Sequence, residues 1–188
     1  MSSAYGSMPS STYPTGILPL KLTLKDNTEC EIRPVDATHI PFLHNLLNEI
    51  IKDGTTYPQE SELTATQFTQ YFTTSFVCIS TTTNAILGGF YIKPNFPGRC
   101  SHICNGGFIV SQQSRGNGVG MAMGQAFLQL APAMGYKASM FNLVFENNVA
   151  SVRLWDRLGF KVIGRLPNAG RLANSEKLVD ALMYHYEF

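Results

Sequence analysis

Charge is scarce in this chain. Lys, Arg, Asp and Glu make up 14% of its 188 residues and sum to a formal net charge of +1 at pH 7. A nucleic-acid partner calls for a basic face and a membrane surface for a cationic one, so neither partner is expected. No apolar run approaches the roughly twenty residues that cross a bilayer. The N-terminus lacks the basic stretch followed by an apolar one that marks a secretory leader. Cysteine is sparse too, at positions 30, 78, 100 and 104. The run Cys100-Ser-His102-Ile-Cys104 invites a zinc site, but no second Cys/His pair completes four ligands, and no metal is expected. Free thiols in a reducing, cytoplasmic compartment are the expectation, with a mitochondrial association left open.

What the chain has in quantity is apolar side chains, 44% of the total, enough for one well-filled core at this length. Residues 1–16 are small, polar and proline-bearing and read as a mobile lead-in, leaving 17–188 as a single domain. Leu18 to Lys25 and Cys30 to Arg33 alternate around Asp26-Asn27, a hairpin pattern. Asp36 is expected to cap a helix running to about Lys52, with Ile40, Leu43, Leu47, Ile50 and Ile51 on one face. Thr64 or Thr66 opens a short helix through Tyr71. Strands are expected at 76–80, 85–93 and 102–110, then a helix from about Asn117 to Met134. A strand at 138–145, a helix at 148–158 and a strand at 161–165 follow, and 179–186 is expected to close the sheet. The mixed order predicts an α/β fold around one central sheet.

Two stretches carry the chemistry. In the first, the strand-like run Phe108-Ile109-Val110 stops at a polar turn, and Arg115-Gly116-Asn117-Gly118-Val119-Gly120-Met121 opens a helical pattern. Glycines there let the backbone turn tightly and aim several N–H groups at one point, at a helix N-terminus that favours an anion. An ordinary strand-to-helix connection is the plain alternative. Nucleotide-binding rivals fit poorly: no acidic residue stands about twenty positions on, and no Lys-Ser or Lys-Thr follows the glycines. In the second stretch, Asn148 is a plausible N-cap, Val152, Trp155 and Leu158 recur at helical spacing, and Gly159 stops the helix before Phe160.

Together the two stretches resemble the Gcn5-related N-acetyltransferase (GNAT) superfamily over roughly residues 20–188. Its pyrophosphate loop, Gln/Arg-x-x-Gly-x-Gly/Ala, is met by Arg115, Gly118 and Gly120, and its later helix by Asn148, Ser151, Leu154, Gly159 and Phe160. Further segments are similar to the yeast proline-analogue acetyltransferases: Thr56-Tyr-Pro-Gln59, Phe90-Tyr-Ile-Lys-Pro-Asn95, Arg99-Cys-Ser-His102, Cys104-Asn105, Phe141-Asn142-Leu-Val-Phe145 and Pro167-Asn-Ala-Gly170. The resemblance implies a mixed sheet flanked by helices, with a splayed gap between the strands ending near Val110 and Phe145. It implies acetyl-CoA as donor, a small amino acid with a ring or secondary amine as acceptor (azetidine-2-carboxylate, or a proline-pathway intermediate), and a homodimer.

By the same resemblance, the backbone of Phe108, Ile109 and Val110 serves the pantetheine arm, and Arg115, Gly116, Asn117, Gly118, Val119, Gly120 and Met121 hold the pyrophosphate. Asn148, Ser151 and Trp155 complete the cofactor-binding set, with Asn148 also the catalytic candidate beside its plain role as a cap. Trp155 stands where the family has a tyrosine credited with protonating the departing thiolate. An indole N–H is a donor only, so that role does not carry over, and packing is expected. Asn105 and Asn142 fall in apolar runs, where an unpaired amide costs about 1–3 kcal/mol. They are expected either to satisfy a bulge beside Gly106-Gly107 or to bind the acceptor's carboxylate, the second being preferred. Glu49, Glu146 and His102 are candidate bases, and Arg33, Lys93 and Arg99 candidate charges for an anionic acceptor. The competing functions are acetylation of a peptide N-terminus or a polyamine, and a non-catalytic acyl-CoA-binding module.

Overall fold

The computed structural model describes residues 13–173 and 175–188. The expected lead-in therefore lies mostly outside the described residues. At its end, the Tyr13 ring packs edge-on against Phe76 and its hydroxyl donates to the Ser75 carbonyl at 3.3 Å. The predicted hairpin follows as β1 (Leu20–Thr23) and β2 (Glu29–Pro34).

Helix α1 (Ile40–Asp53) buries Leu43, Leu46, Leu47, Ile50 and Ile51. Its N-cap is His39 and not the expected Asp36. The Asp36 carboxylate is taken up one turn early, accepting the Thr38 backbone N–H at 2.8 Å and the Thr38 hydroxyl at 2.5 Å. Pro41, which has no N–H to satisfy, then sits in the first turn. Thr64 settles the open choice for α2 (Ala65–Tyr71): it forms a reciprocal capping box with Gln67.

Next come β3 (Ser75–Ser80), β4 (Ile86–Pro94), β5 (Ile103–Val110), α3 (Val119–Ala133), β6 (Ala138–Phe145), α4 (Val149–Arg157), β7 (Lys161–Gly170) and β8 (Val179–Glu187). All eight strands form one mixed sheet in the order β1-β2-β3-β4-β5-β6-β8-β7. Alternate side chains of a strand face opposite sides, so each central strand feeds two cores. Phe76, Cys78, Phe90 and Ile92 pack with α3 and Trp155 of α4, while Val77, Ile79, Tyr91 and Ile109 pack under α1 and α2.

The last two strands depart from the sequence expectation. β8 does not close the sheet but lies between β6 and β7, and β7 is the edge. Burial explains the exchange: Ala181 and Tyr184 of β8 are fully enclosed, whereas β7 exposes Val162 and Ile163 by half their surface. β7 also runs five residues past the predicted Arg165, pairing with β8 as far as Gly170.

The predicted gap is present. β5 stays paired to β4 through Val110. Its parallel pairing with β6 stops after Ile103 with Ala138 and Cys104 with Ser139. β6 follows β8 instead, with a register shift between Phe141 and Val144. Trp155 enters the wedge between the strands, its ring centroid 4.9 Å from Phe108 of β5 and 4.4 Å from Phe141 of β6.

Candidate active site

The parting of β5 and β6 opens a cleft of about 1130 Å³. One end is built mainly from backbone. Gly116 and Gly118 have φ of +83° and +93°, and Gly118 is the N-cap of α3 with no side chain to cap it. A Cβ on Gly118 would stand 3.1 Å from the Lys25 backbone nitrogen. That same nitrogen donates to the Asn117 carbonyl at 3.1 Å, so the β1–β2 hairpin pins the loop from behind. Within α3 the Ala122 N–H bonds back to the Gly118 carbonyl. The N–H groups of Val119, Gly120 and Met121 therefore precede the helical ladder and are free for an anion, assisted by the helix dipole. Arg115, Arg153 and Arg157 line the same mouth. A pyrophosphate fits this cradle of glycine backbone and exposed guanidinium groups.

Of the residues expected to hold the cofactor, Phe108, Val110, Arg115, Gly116, Gly118, Val119, Gly120, Met121, Asn148, Ser151 and Trp155 line the cleft. Asn117 and Ile109 do not. Ile109 is turned into the core beneath α1, so any contact it makes with a pantetheine arm is through its backbone. At the start of α4, Asn148 Oδ1 accepts the Ser151 N–H at 3.2 Å, which leaves its amide donors uncommitted. The Trp155 indole N–H donates to Ser151 Oγ at 2.9 Å, and the ring is 4% exposed. Its one donor is spent, so Trp155 is a packing residue that also walls the cleft.

The opposite end is built from side chains. Lys93 pairs with Asn105 and Tyr91 with Gly107 across the β4–β5 ladder, so these residues share one face of the sheet. Gly107 carries no side chain because a Cβ there would lie 2.5 Å from the Tyr91 ring. Beyond β4, Asn95 is 3% exposed and joins the two predicted amides. Its Oδ1 accepts from Asn105 Nδ2 at 3.0 Å and from Asn142 Nδ2 at 2.5 Å, and its own Nδ2 donates to Asn142 Oδ1 at 2.9 Å. The alternative of a bulge at Gly106-Gly107 fails, since the β4–β5 register is continuous there. Asn142 does sit at a bulge, where β6 shifts against β8. One N–H of each of the Asn105 and Asn142 amides is engaged by Asn95, and one remains on each.

Lys93 Nζ donates to the Tyr71 carbonyl at 3.0 Å and lies over the Tyr71 and Tyr91 rings. Burial pulls its pKa down to about 8. Tyr57 comes from the segment after α1 and crosses the cleft, its hydroxyl donating to the Phe108 carbonyl at 3.3 Å. That segment is anchored where the Ala173 N–H donates to the Gly54 carbonyl at 2.9 Å.

None of the candidate bases reaches the cleft. Glu146 is held by Arg165 at 2.7 Å, which keeps its carboxyl below the usual range, and Glu49 and His102 lie outside the lining. Arg33 and Arg99 are absent from the lining as well. Asn95, Tyr57, Tyr71 and Tyr91 were not among the site residues expected from the sequence. The signal for Asn95 was its parity with Tyr91 and Lys93, which continues the alternation of β4 one residue past its end.

Among the described residues no group of three His, Cys, Asp or Glu side chains is placed to hold a metal ion, and Cys30, Cys78, Cys100 and Cys104 are free. No helix among them is long and apolar enough to cross a membrane.

Comparison with known proteins agrees with this geometry. The model of the acetyltransferase (GNAT) family matches residues 43–160. The N-acetyltransferase aca1 of Schizosaccharomyces pombe is 43% identical over 160 residues, 76% of this chain and 77% of that protein. Among solved structures, a GCN5-related N-acetyltransferase from Kribbella flavida superposes with a TM-score of 0.80 at 30% identity, over 85% of this chain and 98% of that one. A GNAT superfamily phosphinothricin acetyltransferase from Sinorhizobium meliloti, solved in complex with AcCoA, superposes at 0.76 over 85% of this chain and 88% of that one. At 16% identity it shows the fold alone.

Proposed function

The chain belongs to the acetyltransferase (GNAT) family and is an acetyl-CoA-dependent N-acetyltransferase, and from that premise we propose its acceptor: the ring or secondary amine of a small amino acid. Azetidine-2-carboxylate, or a proline-pathway intermediate such as glutamate semialdehyde or pyrroline carboxylate, is the acceptor class. The observation that carries this reading is the pair Asn105 and Asn142, tied through Asn95 at one end of the cleft, each amide keeping an N–H for a carboxylate.

Bound acetyl-CoA supplies the activated acetyl group; the chain's own residues supply position. The free N–H groups of α3 and Arg115 hold the pyrophosphate, and the unpaired edge of β5 receives the arm. The clamp amides hold the acceptor so that its amine meets the thioester, and such placement is worth roughly 7–11 kcal/mol in favourable cases. Asn148 is the catalytic candidate: its uncommitted amide donates to the arm or steadies the reacting amine. None of the candidate bases Glu49, Glu146 and His102 lines the cleft, and the acceptor's proton leaves through water.

The lining argues against a polyamine, which would want carboxylates: it holds Lys93, Arg115, Arg153 and Arg157 against Asp53. The Tyr57 segment covers the groove that a peptide would need. A homodimer, with apolar Val162, Ile163 and Leu166 of the edge strand β7 exposed for it, and a cytoplasmic setting suited to four free thiols belong to the same reading.

The test is coenzyme A release from acetyl-CoA with azetidine-2-carboxylate, proline, spermidine and a peptide amine. Selective turnover of the four-membered-ring amino acid is expected. Turnover of spermidine or the peptide alone would overturn the acceptor class.

A further inference from the structure

Lys93 differs from the other basic side chains of the cleft. Arg115, Arg153 and Arg157 are exposed, whereas Lys93 is partly buried at the side-chain-built end. Its Nζ donates to one carbonyl, that of Tyr71, and lies 4.5 Å from the Tyr71 ring centroid and 4.3 Å from that of Tyr91. Among the described residues no carboxylate comes within 4.0 Å of it. An ammonium has three donors, and a ring face takes charge without completing a hydrogen-bond shell. A cation drawn out of water with no counter-ion is costly to maintain, so the fold keeps this one short of a partner. By strand parity it stands on the face that carries Asn95 and Asn105.

We infer that Lys93 is the counter-ion of the acceptor's carboxylate, making the site select small amino acids with a free carboxylate over their amides. This rests on the small-amino-acid reading above and gives it a charge rule. The two ring faces and the Tyr71 carbonyl all favour the cation, which suits a charge partner better than a proton acceptor. The titratable groups around it are Tyr57, Tyr71 and Tyr91, with Asp53 also in the lining. Burial holds Tyr57 and Tyr91 well above the ordinary tyrosine range, so they stay neutral while Lys93 titrates near pH 8.

The experiment compares wild type, Lys93→Met and Lys93→Arg on azetidine-2-carboxylate and azetidine-2-carboxamide, and on proline and prolinamide. The methionine keeps the apolar stem that packs on the rings; the arginine keeps the charge. Wild type is expected to prefer each carboxylate over its amide by at least about tenfold in kcat/KM. Lys93→Met should raise KM for the carboxylates about tenfold or more, leave the amides within about twofold and leave KM for acetyl-CoA unchanged. Lys93→Arg should restore most of the preference, and wild type should fall relative to it above pH 8. Equal losses on acid and amide would mark a structural role and overturn the inference, as would no loss at all. If wild type acetylates neither cyclic amine, the acceptor reading fails. The same acid–amide comparison on whichever amino acid it does acetylate then decides Lys93 separately, and a wild type indifferent to the carboxylate overturns it.

Discussion

The two ends of the cleft are made of different material. The cofactor end presents backbone: N–H groups of the first turn of α3, a glycine N-cap and the edge of β5 that β6 leaves unpaired. The end we propose for the acceptor presents side chains from the 55–59 segment, α2, β4, β5 and β6. Backbone offers the same donors whatever the residue, so the first end is set by where the chain can bend. Side chains differ in charge and shape, so the second end is where discrimination between acceptors resides. If this division holds, variants at one end should move KM for acetyl-CoA and variants at the other KM for the amine.

The harshest test is Gly118→Val. The branched side chain meets a φ of +93° and a Lys25 backbone nitrogen that cannot retreat without releasing its bond to Asn117. We expect KM for acetyl-CoA to rise by about a hundredfold or more, equivalent to about 2.7 kcal/mol, with the ranking of amine acceptors preserved. A change in that ranking would show that the ends are not separable.

The division also explains what could be read in advance. The glycine loop and the Asn148 helix are local patterns, each complete within about a dozen residues, and their places in the structure match their spacing. The splay was likewise expected, because it comes with the family's fold. The acceptor end joins residues far apart in sequence: Tyr57 meets Phe108, and Asn95 meets Asn142. Periodicity does not report such meetings. Asn105 and Asn142 were singled out because amides are conspicuous in apolar strands, but the residue that binds them together follows a proline and looks like loop. The place of β8 was missed for a related reason. Chain order suggests the last strand goes at the edge, whereas burial of Tyr184 and Ala181 puts it inside.

Asn95 provides the second test, on the other end. Asn95→Ala removes one acceptor oxygen shared by two amides and one donor to Asn142. An increase of about thirtyfold in KM for the carboxylate acceptor is expected, with a stability loss of about 1–3 kcal/mol for the stranded groups. Asn95→Asp keeps an oxygen for both amides but adds negative charge beside the carboxylate of the proposed acceptor. It should therefore fold better than the alanine variant and bind the acceptor worse. Thermal denaturation and acceptor KM, measured together, separate the two effects. Unchanged KM in both variants would mean that the amide cluster is merely structural.

Arg115→Gln returns to the cofactor end with a milder change. Arg115 is exposed, so its attraction for a pyrophosphate is screened. KM for acetyl-CoA should rise by about tenfold at low salt and by less at 0.5 M, because wild type itself loses the contribution there. The backbone donors remain in place, which is why this loss falls below that of Gly118→Val.

The smallest effect is expected where the family's pattern suggests a large one. Trp155 stands at the position of a thiolate-protonating tyrosine, yet its N–H already donates to Ser151 and its ring is packed among Phe108, Phe141 and Phe160. Trp155→Phe removes that hydrogen bond and part of an aromatic wall while keeping most of the wedge between β5 and β6. A net loss of about 1 kcal/mol in stability follows from the bond, with further loss from the smaller ring. Should Trp155 act chemically, kcat would fall by about a hundredfold, the range of positioned proton transfer. With packing as its whole role, kcat should stay within about threefold and the pH profile should keep its shape. Steady-state rates from pH 6 to 9 decide between them. A flat response would leave the departing thiolate to take its proton from water, in keeping with a cleft whose side chains position the reactants and leave proton transfer to solvent.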